Sequence, residues 1–321
     1  MSSSSLSRFT PGGRPAALAR RSMECYPSDP DATASSLLAG KTLVLPVVSH
    51  GNVGQLASDL AIEALRLPRV AILDHAALLP CVGAGAFTAD AEPPATHLAL
   101  GFELRACASR APGFALAQQR ALVAPGAGRA FANDLAAFVA RCAPRECVLL
   151  ASVPSTRANV DPERPGPGAP IGAVAFRSVC VGPDAEARRA RLRADAGVEA
   201  LLEEDADHHP LPDANANANR TASESPFASR APPWPLLAAL AERGVPATCV
   251  VAVCSEGDNT EDAVAMANLA RKLWPEMFRS LKGSTTGEGE SPGDDDAFAF
   301  APPPSWAAAY GQTPARREMF A

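Results

Sequence analysis

Short apolar runs alternate along this chain with stretches in which apolar residues recur every three or four positions, the signatures of strands and amphipathic helices in turn. The first clear run covers residues 43–48, β-branched and broken only by Pro46. It predicts a buried strand ending at a sheet rim. Leu56, Leu60, Ala61, Ala64 and Leu65 then form one stripe over residues 54–66, a helix for which Asn52 is the expected cap. Residues 69–74 read as a second strand and 77–87 as an irregular apolar connection rich in Gly and Pro. Residues 97–106 and 113–123 read as a strand pair, followed by a helix over 130–142 with Phe131, Leu135, Phe138 and Val139 on one face, and a strand at 146–153. Further on, 171–181 returns to the sheet and 185–206 is a charged helical stretch. A helix at 234–243 and a strand at 247–254 precede the best helix, 260–281, with Asn259 as cap and Glu261 and Asp262 complementing its dipole.

Strands alternating with helices of this length imply a mostly parallel central sheet with helices on both faces, a three-layer α/β domain over residues 41–311. Composition marks the gaps. Residues 154–170 are a Pro- and Gly-rich loop. The stretches 207–230, with its alternating Ala and Asn, and 282–300, acidic and Gly-rich, are expected to be disordered inserts. Residues 1–40 are expected to be a disordered extension and 312–321 a tail. The first 22 residues are rich in Ser and Arg with no acid before Glu24, as in organelle transit peptides, but Pro11, Gly12, Gly13 and Pro15 break any amphipathic helix. An extension, or a start displaced upstream of Met23, fits better.

The 321 residues are 47% hydrophobic, enough for a substantial core, and carry a net charge of -6 with no basic stripe, which argues against a nucleic-acid partner. No apolar run reaches the roughly 18 to 20 residues needed to span a bilayer, so no membrane partner is expected. Several of the eight cysteines sit in apolar strand-like runs, Cys147 and Cys249 among them, as buried thiols of a reducing compartment do. The spacings Cys142 to Cys147 and Cys249 to Cys254 do not suit a zinc hook. His208 and His209 are adjacent on a low-complexity stretch, a poor ligand pair. No metal and no cofactor is expected.

The loop SHGNVGQ, Ser49 to Gln55, places two glycines where a strand gives way to a helix, a position at which α/β proteins bind phosphate. It lacks the lysine of a P-loop and the third glycine of a dinucleotide fingerprint. Gly51 and Gly54 are better explained by a tight turn and close helix packing. A hydrolase or phosphorylase would use Ser49 and His50 with Glu256 and Asp258 of the SEGDN turn, gathered at the carboxyl ends of two strands. Against this, GxSxG is absent, and adjacent Ser49 and His50 point in divergent directions. In the structural alternative, Glu256, Asp258 and Asn259 cap backbone amides and Gly257 supplies positive φ. No catalytic residues are expected.

The segment LPVVSHGNVGQLASDL, residues 45–60, resembles the amino-terminal signature of the proteasome assembly chaperone 2 family. Residues 250–274, VVAVCSEGDNTEDAVAMANLARKLW, match in the same order, and PPSWAAAYG at 303–311 stands where that family has its terminal Pro-Ser-Ser-Trp element. The resemblance implies a nucleoside-phosphorylase-like fold without enzymatic activity, pairing with assembly chaperone 1, and scaffolding of the proteasome α subunits into the 20S α-ring while blocking off-pathway pairing, in the cytoplasm and nucleus. It also implies a role for the tail, since such chaperones end in a hydrophobic residue, Tyr and any residue. Here Met319, Phe320 and Ala321 hold those places, and Phe320 lacks the hydroxyl. His50, Asn52 and Gln55 on the exposed face of the loop are the expected partner contacts. Trp306 and Tyr310, four apart, would share a helix face and pin the tail to the domain or to a partner.

Overall fold

The computed structural model describes residues 22–88, 98–154, 174–201, 232–255, 257–281 and 299–309. In chain order the elements are β1 (Glu24–Pro27), α1 (Ala34–Leu38), β2 (Thr42–Pro46), α2 (Val53–Leu65), β3 (Arg69–Asp74), β4 (Val82–Gly83), β5 (Ala99–Leu100), β6 (Phe102–Arg105), β7 (Phe114–Gln119) and α3 (Gly128–Cys142). There follow β8 (Glu146–Pro154), β9 (Ala175–Val181), α4 (Ala185–Ala196), β10 (Glu199–Ala200), α5 (Trp234–Glu242), β11 (Ala247–Cys254), α6 (Thr260–Leu273) and α7 (Pro304–Ala309). Nine strands form one sheet in the order β1-β3-β6-β7-β2-β8-β11-β9-β10, and β4 and β5 form a separate ribbon.

Side chains alternate across the central strands and so build two cores. Leu43, Leu45, Cys147, Leu149, Cys249 and Val251 face α1, α3 and α5. Val44, Val148, Leu150, Val250 and Ala252 face α2, α4 and α6. Every residue of β2 and β11 is buried, which is why these strands read as unbroken apolar runs. The three-layer expectation is met.

The sheet is mixed rather than mostly parallel. β7, β2, β8 and β11 run parallel, while β1, β3, β6 and β7 form an antiparallel series and β9 lies antiparallel to β11. For β6 and β7 the cause is connection length: a parallel return needs a crossover of about a dozen residues or more, and the chain between Arg105 and Phe114 is too short for one.

Other expectations change at element ends. The structureless extension gives way within residues 22–40, where β1 pairs with β3 and Met23 is 3% exposed. There Thr33 and Ser36 cap α1 reciprocally, each side chain accepting the other's backbone N–H. The charged helix stops at Ala196 because Gly197 takes a left-handed conformation at φ 66. The helix expected to reach residue 281 ends at Leu273, since Pro275 offers no N–H and disfavours helical backbone at Trp274, whose φ/ψ is -128/62. Residues 1–21, residues 155–170 of the expected loop, residues 171–173 of the strand expected after it, the whole insert expected at 207–230 and all but residues 299–300 of the insert expected at 282–300 lie outside the described residues.

All eight cysteines are free. Burial pushes the Cys147 thiol up to about 12, with the neighbouring Glu146 charge adding to it, and raises Cys249 still further. Cys81 is exposed and Cys107 half-buried. N-ethylmaleimide near neutral pH is therefore expected to label Cys81 and Cys107 first and to leave Cys147 and Cys249 untouched until unfolding, as read by peptide mass mapping. Labelling of Cys249 in the folded protein would contradict the central placement of β11.

Candidate functional site at the sheet rim

At the end of β2 the Val47 N–H donates to the Leu150 carbonyl at 2.8 Å, and the chain then turns through a short 3-10 segment, His50–Asn52. The Ser49 hydroxyl donates to the Val47 carbonyl at 2.9 Å and accepts the Ser152 N–H at 3.0 Å. The Ser152 hydroxyl donates to the His50 carbonyl, which the Cys254 thiol also approaches at 3.7 Å. The loop is thus tied to β8 and β11 through its backbone and Ser49.

Gly51 and Asn52 both have left-handed backbones, at φ 63 and 55. Asn52 holds the position before α2 but forms no side-chain cap, so the expected capping bond is absent: from this conformation its side chain does not reach the free N–H groups of the first turn. A Cβ on Gly51 would lie 2.6 Å from Asn259 Nδ2, and one on Gly54 would lie 2.3 Å from the Leu150 carbonyl oxygen. The glycines serve close packing, as their spacing suggested.

The SEGDN turn meets this loop directly. Asn259, 4% exposed, packs under Gly51 and donates to the Gly257 carbonyl at 3.0 Å. Asp258 Oδ1 accepts the Thr260 hydroxyl at 2.6 Å and its N–H at 3.0 Å, bonds that hold the Asp258 carboxyl below its ordinary value. Gly257 has φ 138, the positive value expected. Asp258 therefore supplies the start of α6 with a partner that Asn259 does not.

The third matched segment joins from the other side. Trp306 is buried, and its indole N–H lies 3.4 Å from Asp59 Oδ2 on α2. Asp59 also takes Arg120 at 2.7 Å and the Gln118 amide at 2.5 Å. Gln118 Nε2 donates on to the Gln55 carbonyl, and Gln55 Nε2 to the Gln119 carbonyl at 2.7 Å. Trp306 thus pins α7 to the domain. Replacing it by alanine is expected to cost about 3 kcal/mol or more and to expose residues near 300 to proteolysis, measured by denaturant unfolding and limited digestion.

Of the expected partner contacts, Asn52 is exposed, His50 is half-buried and Gln55 is turned inward onto Gln119. Tyr310, Met319, Phe320, Ala321 and Glu256 lie outside the described residues. The catalytic alternative finds no support: the Ser49 hydroxyl is spent on Val47 and Ser152, and His50 Nε2 is buried without a hydrogen-bond partner. A nucleophile bonded to its base is what such chemistry requires.

Two features of this end of the molecule escaped the sequence pattern. A groove of about 700 Å³ opens between the ends of β2 and β7 and the starts of α3 and α5, with Val47, Val48, Phe131, Leu135 and Leu236 in its walls. Beside it stand Leu79, Val82, Leu98 and Leu122, exposed by 42, 65, 56 and 57%. His75 supports the region from below, buried, its Nδ1 accepting the Ala77 N–H at 3.0 Å while Nε2–H donates to Asp134 on α3 at 3.0 Å. Loss of this ring in His75→Ala is expected to cost about 1 to 3 kcal/mol, read as a shift in the urea midpoint.

Residues 43–273 match the PAC2 family model, and the chain belongs to the PAC2 family. It is 38% identical over 111 residues to a Xenopus tropicalis protein named proteasome assembly chaperone 2, a stretch covering 35% of this chain and 41% of that one. To the Nematostella vectensis protein of the same name it is 36% identical over 120 residues, covering 37% and 48%. The matched stretches thus span less than half the length of these curated relatives. In fold it is similar to Pyrococcus furiosus PbaA, described as an archaeal homolog of proteasome-assembly chaperone, at a TM-score of 0.50 and 10% identity over 79% of this chain and 86% of that one.

Proposed function

We propose that this protein is a non-enzymatic proteasome assembly chaperone, which pairs with assembly chaperone 1 and holds α subunits together during assembly of the 20S α-ring. One observation supports this above the others. The three segments that carry the family resemblance, far apart in sequence, converge on one rim: Gly51 packs on Asn259, and Trp306 is anchored on the Asp59 of the first segment's helix. Residues that meet this way, where the described residues bring no nucleophile onto a base, suit a shared architecture for binding.

The reading extends to a nucleoside-phosphorylase-like layering turned to non-catalytic use, and to action in the cytoplasm and nucleus, with which eight free thiols agree. It gives Met319, Phe320 and Ala321 a docking role in which an apolar residue and a ring fill a cleft on the α-ring. Deleting residues 319–321 is expected to weaken binding to purified α subunits while leaving the affinity for assembly chaperone 1 unchanged. Unaltered α-subunit affinity would remove the tail from the mechanism. Affinity purification from cells is expected to recover assembly chaperone 1 and α subunits together, and recovery of neither with soluble protein would refute the function.

A further inference from the structure

We infer that the ridge of Leu79, Val82, Leu98 and Leu122, together with the adjoining groove, is the docking face for the second chain of the pair, a folded partner of this same three-layer architecture. The inference rests on the pairing proposed above and adds the surface that performs it.

Ridge and groove are one continuous feature. The Leu79 N–H donates to the Leu122 carbonyl at 2.8 Å, and Leu78 bridges Val123. Leu122 and Val123 in turn form a wall of the groove. On the far side, Val82 of β4 pairs with Leu100 of β5 and Gly83 with Ala99, so Leu98 follows at the end of the same ribbon, two residues from Leu100 and on its face. Exposed apolar side chains are ordinary when scattered, but a contiguous set is not.

The size of the surface selects the occupant. Four aliphatic side chains about half exposed present on the order of 400 Å², the size of the largest apolar patch on an ordinary monomer, a patch that is often functional. Specific pairs of folded chains start at about 600 Å² buried on each partner, so the ridge supplies the larger part and the groove walls add to it. A small molecule would fill the groove and leave the ridge in water. A folded partner that presents an apolar ridge and groove of its own covers both features at once in a two-fold arrangement.

The exposed Cys81 lies within the ridge and is a native reporter, while Cys107 lies beyond Arg105 at the opposite end of β6 and is an internal control. With the full chain saturated by purified assembly chaperone 1, N-ethylmaleimide labelling of Cys81 is expected to slow by about tenfold or more while labelling of Cys107 is unchanged. Val82→Glu and Leu122→Asp, both at exposed positions, are expected to raise the Kd for the partner by about 30-fold or more with the unfolding midpoint unchanged. A complex that forms while Cys81 reacts at its free rate and both variants bind normally overturns the surface and leaves the pairing intact. Absence of any complex overturns both. Protection of Cys81 in the chain alone, with the mass of a dimer, assigns the face to a second copy and overturns the choice of partner.

Discussion

Gly54→Ala is expected to destabilise the domain by about 3 kcal/mol or more, although alanine is the better helix former by about 1 kcal/mol. Gly54 lies in the first turn of α2, where the helix passes so close to β8 that a methyl group would sit 2.3 Å from the Leu150 carbonyl oxygen. That oxygen also accepts the Val47 N–H, and Leu150 belongs to a fully paired central strand, so the obstacle is backbone that cannot rotate away. Relief requires α2 to lift from the sheet, which opens the core around Val53, Ala57 and Leu60. Gly83, which has open space around its Cβ position and no positive φ, is the control: Gly83→Ala should stay within about 0.5 kcal/mol of the parent. Urea unfolding of the two variants separates the effects. A Gly54→Ala protein as stable as the parent would contradict the packing of α2 on β8.

The second large effect is expected at Glu103, in the middle of β6. Its carboxylate, 1% exposed, takes Arg105 at 2.7 Å, Arg69 at 3.0 Å and the Leu100 N–H at 2.9 Å. Arg105, also 1% exposed, continues to the Leu67 carbonyl and lies 4.4 Å from the centre of the Phe87 ring. Removing the acid alone strands a cation in the interior, so Glu103→Ala is expected to cost about 3 to 5 kcal/mol. Because a buried pair contributes little beyond an apolar pair of similar volume, combining Glu103→Leu with Arg105→Met should recover most of that loss. Chemical denaturation of the single and double variants tests both statements. A single substitution that is tolerated would mean that water reaches the pair.

The sequence pattern was legible where one local cause decides the structure. β3 runs over residues 69–74 as expected, following Pro68 and ending before the turn at His75. Apolar stripes at helical spacing located α2 and α3, and the apolar runs located β8 and β11. What stayed hidden depends on contacts across the fold. β1 is four residues with no periodicity to reveal it, and it is a strand because β3 offers an open edge. Glu103 and Arg105, two apart in a strand, share a face that composition alone would place in water, and only the sheet encloses them. The groove joins residues from four elements. The ridge did leave a trace, the apolar residues of 77–87 in a Gly- and Pro-rich connection without helical or strand periodicity, a pattern suited to an exposed contact surface as much as to a loop.

For the rim, the motif words carried more than their chemistry did. SHGNVGQ has the look of a phosphate loop, yet its glycines are held by contacts with Leu150 and Asn259, and its serine by Val47 and Ser152. The position of Trp306 on Asp59 could not be read from spacing, because 247 residues separate the partners.

The decisive assay is assembly in a defined mixture of the purified chain, purified assembly chaperone 1 and purified α subunits, examined by native mass spectrometry. A one-to-one chaperone pair bound to partial and complete α-rings is expected, with rings forming faster than from α subunits alone. A chain that stays monomeric and leaves ring formation unchanged would contradict the chaperone function.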